Sequence, residues 1–162
     1  MIGPDTPCRP TTAEPPPSPA ARILVAEDNP VNQRVALRFL KGLGHAAALV
    51  PNGKEALDLL GREPFDLVLM DIQMPVMDGL EATRAIRRAE TEAAPGFRRR
   101  IAIVAVTANA LTGDRETCLA AGMDDFIAKP LTPEAVSEVL GRYLRRHGPD
   151  GHHFPARTHG NP

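Results

Sequence analysis

Short apolar runs and amphipathic segments alternate along the middle of this chain. Five of the apolar runs lack a strict alternation of apolar and polar residues, which is typical of strands covered on both faces. These predicted strands are ILVA (23–26), AALV (47–50), DLVLM (66–70), IAIVAV (101–106) and DDFIA (124–128).

Helical patterns fill the intervals between these runs. Asn29 followed by Pro30 predicts an N-cap and a first turn, after which apolar residues recur every four positions at 31, 35, 39 and 43. Gly122 predicts the end of the fourth helix, because glycine readily adopts the left-handed conformation there. The other four helices are predicted to begin at Asn52, Gly79, Thr112 and Thr132–Pro133.

Five strand–helix repeats indicate an α/β fold with a parallel sheet, because parallel strands need right-handed crossover connections. By analogy with doubly wound proteins, we predict a flavodoxin-like, five-stranded parallel sheet of order 2-1-3-4-5 with five helices. Ligands of such sheets bind beyond the carboxyl ends of the strands, at the point where the strand order reverses.

Composition changes sharply at both ends of the patterned region. Seven of the 17 prolines fall in residues 1–20, which predicts a disordered Pro-rich N-terminal arm. Residues 148–162 show no helix or strand period and predict a disordered tail, leaving a folded domain at 21–147. A metal site is an alternative for the late histidines, although a flexible polar tail explains them better: His147, His152, His153 and His159.

The overall composition is that of a globular protein, with 43% hydrophobic and 24% charged residues and a net charge of -1. This balance indicates neither a nucleic-acid nor a membrane partner. Cys8 and Cys118 are the only cysteines, which argues against a disulfide framework. No apolar run has the roughly 20 residues of a membrane-spanning helix, and the N-terminus lacks a secretory apolar segment. We therefore expect a cytoplasmic protein.

Acidic residues follow two of the predicted strands. Glu27 and Asp28 come after the first strand, and Asp71 comes after the third. Three carboxylates at one sheet edge repel one another, and a divalent cation with a preference for oxygen, such as Mg²⁺, relieves that repulsion. The alternative is that each acid simply caps the following helix.

The fourth and fifth predicted strands lead to Thr107 and to Lys129–Pro130. A hydroxyl donor and an ammonium beside a metal and a carboxylate would make a phosphoryl-transfer site, with the carboxylate attacking phosphorus. A lysine before a proline is an ordinary solvated loop residue in most proteins, so its significance depends on these neighbours.

With these motifs the chain resembles the response-regulator (CheY-like) receiver family. The resemblance covers residues 22–146 and rests on ILVAEDNPVNQ (23–33), LVLMDIQMPVMDG (67–79), VTANA (106–110) and DDFIAKP (124–130). It implies that Asp71 accepts a phosphoryl group. It also implies that Asp28 ligates Mg²⁺ directly, that Glu27 supports the ion through water, and that the backbone carbonyl of Gln73 is a further ligand.

The resemblance also implies a conformational switch. By this resemblance, Thr107 and Lys129 are expected to contact the phosphoryl oxygens, and the Lys129–Pro130 peptide bond is expected to be cis. Phe126 matches an aromatic position that turns inward when Thr107 moves. Phenylalanine has no hydroxyl, so we expect it to respond through packing, with an ordinary core role as the alternative.

The implied function is that of a phosphorelay response regulator that is not an enzyme beyond its own phosphorylation and dephosphorylation. A histidine kinase or a histidine phosphotransfer protein would donate the phosphoryl group, and output would pass through contact with another protein. Asn29 and Asn32 fit a pattern similar to that of receivers in hybrid sensor kinases, so a detached kinase receiver or a phosphate sink stays open. The basic segment at 91–100 is either a docking feature or a solvated loop.

Two other functions are disfavoured by particular residues. A phosphatase of the haloacid-dehalogenase type needs a second aspartate two residues after the nucleophile, where this chain has Gln73. A flavin-binding module needs a phosphate-cradling loop after the first strand, where Glu27 and Asp28 would repel a phosphate.

Overall fold

The structure is a computed structural model that describes residues 21–97, 99–108 and 113–144. The predicted arm at 1–20 and tail at 148–162 lie outside the described residues, as does Thr112.

Five strands form a single parallel sheet of order β2-β1-β3-β4-β5, which confirms the predicted order. Each strand begins and ends within one residue of its predicted bounds. The strands are β1 (Arg22–Ala26), β2 (Ala46–Val50), β3 (Leu67–Asp71), β4 (Ala102–Thr107) and β5 (Asp125–Ala128).

Five helices connect the strands: α1 (Pro30–Gly42), α2 (Gly53–Leu60), α3 (Gly79–Thr91), α4 (Asp114–Ala121) and α5 (Pro133–Leu144). The predicted caps at Asn29 and Asn52 are confirmed, since each side chain accepts a hydrogen bond from the first turn of its helix. Gly122 follows α4 with a φ of 107°, in the left-handed conformation predicted for it.

The buried face of α1 differs from the row of apolar residues that predicts the helix. Ala36 and Leu40 are buried, whereas Val31 is 65% exposed and Leu43 is 38% exposed. Because a helix has 3.6 residues per turn, each four-residue step advances about 40° beyond a full turn. The two ends of a four-residue row therefore rotate away from the core.

The core has two layers, one on each side of the sheet. Residues of α1 and α5, such as Leu40 and Val136, pack on one face. Residues of α2, α3 and α4, such as Ile86 and Cys118, pack on the other. All residues of β3 and β4 are buried, so polar groups at the carboxyl ends of these central strands are held rigidly at the sheet edge. None of the helices in the described part of the chain could span a membrane.

Candidate functional site

Three carboxylates meet at the carboxyl edge of the sheet, as the sequence predicts. Glu27 and Asp28 follow β1, and Asp71 is the last residue of β3. One carboxylate oxygen from each lies within 4.8 Å of the others. Glu27 and Asp71 are each only 5% exposed, while Asp28 is exposed to solvent. This arrangement offers hard oxygen ligands to a cation that approaches from the solvent side.

The start of α1 holds Glu27 in position. Its Oε1 accepts hydrogen bonds from the backbone N–H of Asn29 (3.1 Å) and from the Asn32 side-chain amide (3.4 Å). The Gln33 side-chain amide donates to the Glu27 backbone carbonyl at 2.6 Å. These three donors leave Glu27 little freedom to turn away from the site.

Lys129, directly after β5, forms ion pairs with two of the carboxylates. Its Nζ lies 2.9 Å from Asp71 Oδ2 and 3.2 Å from Glu27 Oε2. Partial burial lowers the pKa of Lys129, but the hydrogen bonds and charges of Asp71 and Glu27 outweigh that effect and leave the pKa raised. The Lys129–Pro130 peptide bond is cis, as expected from the sequence. Lys129 therefore supplies a permanent positive charge at the acidic edge.

Gln73 lies in the loop between β3 and α3. Its backbone N–H donates to Asp71 Oδ1 at 3.2 Å, and the residue lines the cleft above the carboxylates. With Lys129 on Oδ2, both oxygens of Asp71 therefore have a donor. The contribution of the Gln73 carbonyl to a metal site stays a prediction.

Thr107 ends β4 beside these groups and is 4% exposed. Its hydroxyl donates a hydrogen bond to Asp114 Oδ2 at 3.1 Å, and its backbone carbonyl accepts from the Lys129 N–H at 2.8 Å. The Asp114 contact was not predicted from the sequence. Its only signal was an acidic residue near the start of a helix that follows a site strand.

Phe126 lies on β5, with its ring half-buried. The Arg115 guanidinium lies over that ring, 5.4 Å from its centroid. Phe126 also packs against the core layer formed with α2, α3 and α4. The structure therefore gives Phe126 a partner at the start of α4 in addition to its core contacts.

The site is an open, polar cleft of about 900 Å³. It is lined by the three carboxylates, Gln73, Thr107, Asp114 and Lys129. Such a cleft can bind a divalent cation through oxygen ligands and hold an anion between that cation and an ammonium. A carboxylate with its oxygens oriented by donors can also act as a nucleophile.

Comparison with known sequences identifies the relatives of this chain. Residues 23–140 match the profile of the response regulator receiver domain family. The sensor histidine kinase GacS of Pseudomonas protegens is 40% identical over 139 residues, a match that covers 82% of this chain and 15% of the kinase. The chain spans 4–16% of the length of such kinase relatives.

Comparison with solved structures gives the same result. The receiver domain of the Pseudomonas aeruginosa sensor histidine kinase PA1611, which holds a magnesium ion in its active-site cleft, is similar with a TM-score of 0.69 and 44% identity. That similarity covers 78% of this chain and 99% of the other. The Saccharomyces cerevisiae Ssk1 receiver, solved with the phosphotransfer protein Ypd1, has a TM-score of 0.72 and 30% identity. This similarity covers 82% of this chain and 95% of the Ssk1 receiver chain.

Proposed function

Because this chain belongs to the response regulator receiver domain family, we propose that Asp71 is its phosphoryl-accepting residue. Members of the family are signalling switches of two-component and phosphorelay systems. The observation that supports Asp71 is its position at the end of β3, buried, with Lys129 Nζ 2.9 Å from Oδ2 and two further carboxylates beside it.

The proposed reaction is transfer from a phosphohistidine. An oxygen of the Asp71 carboxylate attacks phosphorus, the P–N bond breaks, and the imidazole leaves with the electron pair of that bond. The product is an acyl phosphate on Asp71. The two oxygens of this carboxylate have different donors. The Gln73 N–H lies 3.2 Å from Oδ1, whereas Lys129 Nζ lies 2.9 Å from Oδ2, and together they orient the carboxylate.

The donor set of the site fits Mg²⁺. Asp28 and Asp71 would bind the ion directly, Glu27 through water, and the Gln73 carbonyl would complete the protein ligands. Bound Mg²⁺ would neutralise negative charge on the transferring phosphoryl group. The magnesium in the PA1611 receiver supports this choice of metal.

Lys129 and Thr107 would hold the phosphoryl oxygens once the acyl phosphate has formed. Lys129 is already directed at Asp71, whereas the Thr107 hydroxyl donates to Asp114 and must turn. We propose that Phe126 then repacks into the volume that Thr107 leaves. The new contacts would shift the population towards an active conformation.

The partners would be a histidine kinase or a histidine phosphotransfer protein as donor, and another protein as the target. The kinase relatives and the Ssk1–Ypd1 complex support this choice. A kinase receiver acting as one part of a relay, or a phosphate sink, is consistent with the same site. We also propose that residues 21–147 fold as one domain, that it acts in the cytoplasm, and that its only chemistry is its own phosphorylation and dephosphorylation.

The direct test is labelling with radioactive acetyl phosphate or phosphoramidate in the presence of Mg²⁺. We expect one hydroxylamine-sensitive phosphoryl group per chain and none in Asp71→Asn. The same labelling performed with phosphorylated candidate kinases and phosphotransfer proteins would identify the donor.

Asp58→Asn is the matched control, because Asp58 is an exposed carboxylate on α2, away from the cleft. It should label like the wild type, and circular dichroism should show that both variants are folded. Labelling that survives Asp71→Asn would contradict the assignment of the phosphoryl acceptor.

A further inference from the structure

The Thr107 hydroxyl already donates a hydrogen bond in the unphosphorylated protein. It donates to Asp114 Oδ2 at 3.1 Å, and a hydroxyl has a single proton to donate. The proposed function requires that proton at a phosphoryl oxygen instead. Phosphorylation must therefore break the Thr107–Asp114 hydrogen bond. The loss of this bond makes the phosphorylated conformation less stable by the free energy that the bond contributes.

The acceptor in this bond is a carboxylate, and hydrogen bonds to charged acceptors are stronger than neutral ones. Thr107 is 4% exposed, so water competes poorly for its proton. Asp114 also lines the cleft that would receive the phosphoryl group, and its negative charge disfavours a second anion there. Both effects oppose the phosphorylated conformation.

The first turn of α4 contacts both predicted switch residues. Asp114 accepts from Thr107, and the adjacent Arg115 covers the ring of Phe126 with a distance of 5.4 Å to the centroid. A turn of Thr107 towards Asp71 breaks the first contact, and a movement of the Phe126 ring breaks the second. The two changes therefore remove two contacts that hold the same turn of α4 in place.

We propose that Asp114 is the acceptor that holds the Thr107 hydroxyl in the unphosphorylated state and couples it to the first turn of α4. This inference rests on the proposed function and adds to it a positioning residue. Asp114 keeps Thr107 away from Asp71 until a phosphoryl group competes for the proton. By linkage, removal of Asp114 strengthens binding of a phosphoryl group and frees the start of α4.

The test uses beryllium trifluoride with Mg²⁺ as the phosphoryl mimic on the full chain, with the affinity measured from amide chemical shifts. We expect Asp114→Ala to bind the mimic at least about tenfold more tightly than the wild type, the effect of losing one hydrogen bond to a charged acceptor. Asp114→Asn keeps an acceptor oxygen without the charge and should lie between the two. It also provides a result if the alanine variant does not fold.

Glu116→Gln is the matched control, because it removes one negative charge from the same turn of α4 at an exposed position. Its affinity should stay within about twofold of the wild type, as expected for an exposed charge. An equal gain in Glu116→Gln and Asp114→Ala would overturn the proposal.

A second comparison separates the hydrogen bond from simple charge repulsion. In a Thr107→Val background the hydroxyl is absent, so the gain from Asp114→Ala should shrink to the smaller part that comes from the charge of Asp114. A gain of the same size in that background, or no gain in the wild-type background, would overturn the role of Asp114. Failure of the wild type to bind the mimic would instead contradict the proposed function, so the two failures are distinguishable.

Discussion

Gly79, the first residue of α3, lies against the backbone of Asp71. A Cβ atom added to Gly79 would be 2.1 Å from the Asp71 carbonyl oxygen and 3.0 Å from Met70 Cγ. The Gly79 N–H also donates to the Ile72 carbonyl at 2.9 Å. The absence of a side chain at position 79 therefore allows α3 to begin directly beside the last residue of β3.

Gly79→Ala should destabilise the protein and disturb the site. Since the clash is with backbone, the neighbouring chain must move, which costs about 1–3 kcal/mol or more for an overpacked position. Urea denaturation should show this loss of unfolding free energy. Phosphoryl labelling should also fall, because the displaced atoms belong to Asp71.

Gly141→Ala is the comparison for that variant. Gly141 lies within α5, and nothing lies within 4 Å of a Cβ added there. Alanine in a helix interior is favoured over glycine by about 0.5–1 kcal/mol, so this variant should be more stable than the wild type. A similar loss of stability in both variants would contradict the clash at Gly79.

Lys129→Met should affect magnesium and phosphoryl binding in opposite directions. The ammonium lies 2.9 Å from Asp71 Oδ2 and competes with any cation for that oxygen. Its removal should raise the Mg²⁺ affinity by about tenfold, as judged by calorimetric titration. Phosphorylation by acetyl phosphate should slow by about a hundredfold, because a positive charge on the phosphoryl oxygens is lost.

Lys54→Met is its control, because Lys54 is exposed on α2 and absent from the cleft lining. Both measurements should match the wild type. Weaker Mg²⁺ binding in Lys129→Met than in Lys54→Met would show that Lys129 supports the metal site rather than competing with the ion.

Arg87 and Arg100 form ion pairs of similar length with Asp124 but should differ in their contribution to stability. The distances are 2.8 and 2.7 Å, while the side chains are 13% and 57% exposed. Arg87 also donates to the carbonyls of Ile101 and Gly122. Arg87→Met should cost about 3 kcal/mol and Arg100→Met less than about 1 kcal/mol in urea denaturation. Equal losses would contradict the dependence on burial.

His45 should make stability depend on pH. Its Nδ1 accepts the Ala21 N–H at 3.2 Å, and partial burial lowers its pKa more than the charge of Asp66 raises it. The unfolded chain therefore takes up a proton first as the pH falls through about 6.5. The free energy of unfolding should decrease from that pH down through the lowered pKa of the folded state. His45→Gln should remove this part of the slope, whereas an unchanged slope would assign it to other groups.

Much of the site follows from the sequence because the fold is regular. In a parallel sheet every strand places its carboxyl end at the same edge, so an acid after β1 and another at the end of β3 must meet. That rule is sufficient to bring Asp28 and Asp71 together. The buried positions of α5 follow in the same way from helical periodicity, and Val136, Val139, Leu140 and Tyr143 are all buried as that periodicity indicates.

The contacts that could not be predicted from the sequence depend on loops or on the direction of side chains. Asp114 is seven residues from Thr107, and the path of the chain between them decides whether the two meet. Residues 109–112 of that path lie outside the described part of the chain. A hydrophobic period cannot predict the path of such a connection. The geometry of a loop depends on its length and not on a repeating pattern of residues.

The site draws its groups from the ends of β1, β3, β4 and β5, from Glu27 to Lys129, so an ion or a phosphoryl mimic that binds there connects four of the five strands of the sheet. A ligand that binds only to such a folded assembly stabilises the whole domain. At a concentration one hundred times its dissociation constant, the gain is about 2.7 kcal/mol. Thermal melting can thus report ligand binding without any label. The melting temperature should rise with the logarithm of the ratio between the ligand concentration and its dissociation constant.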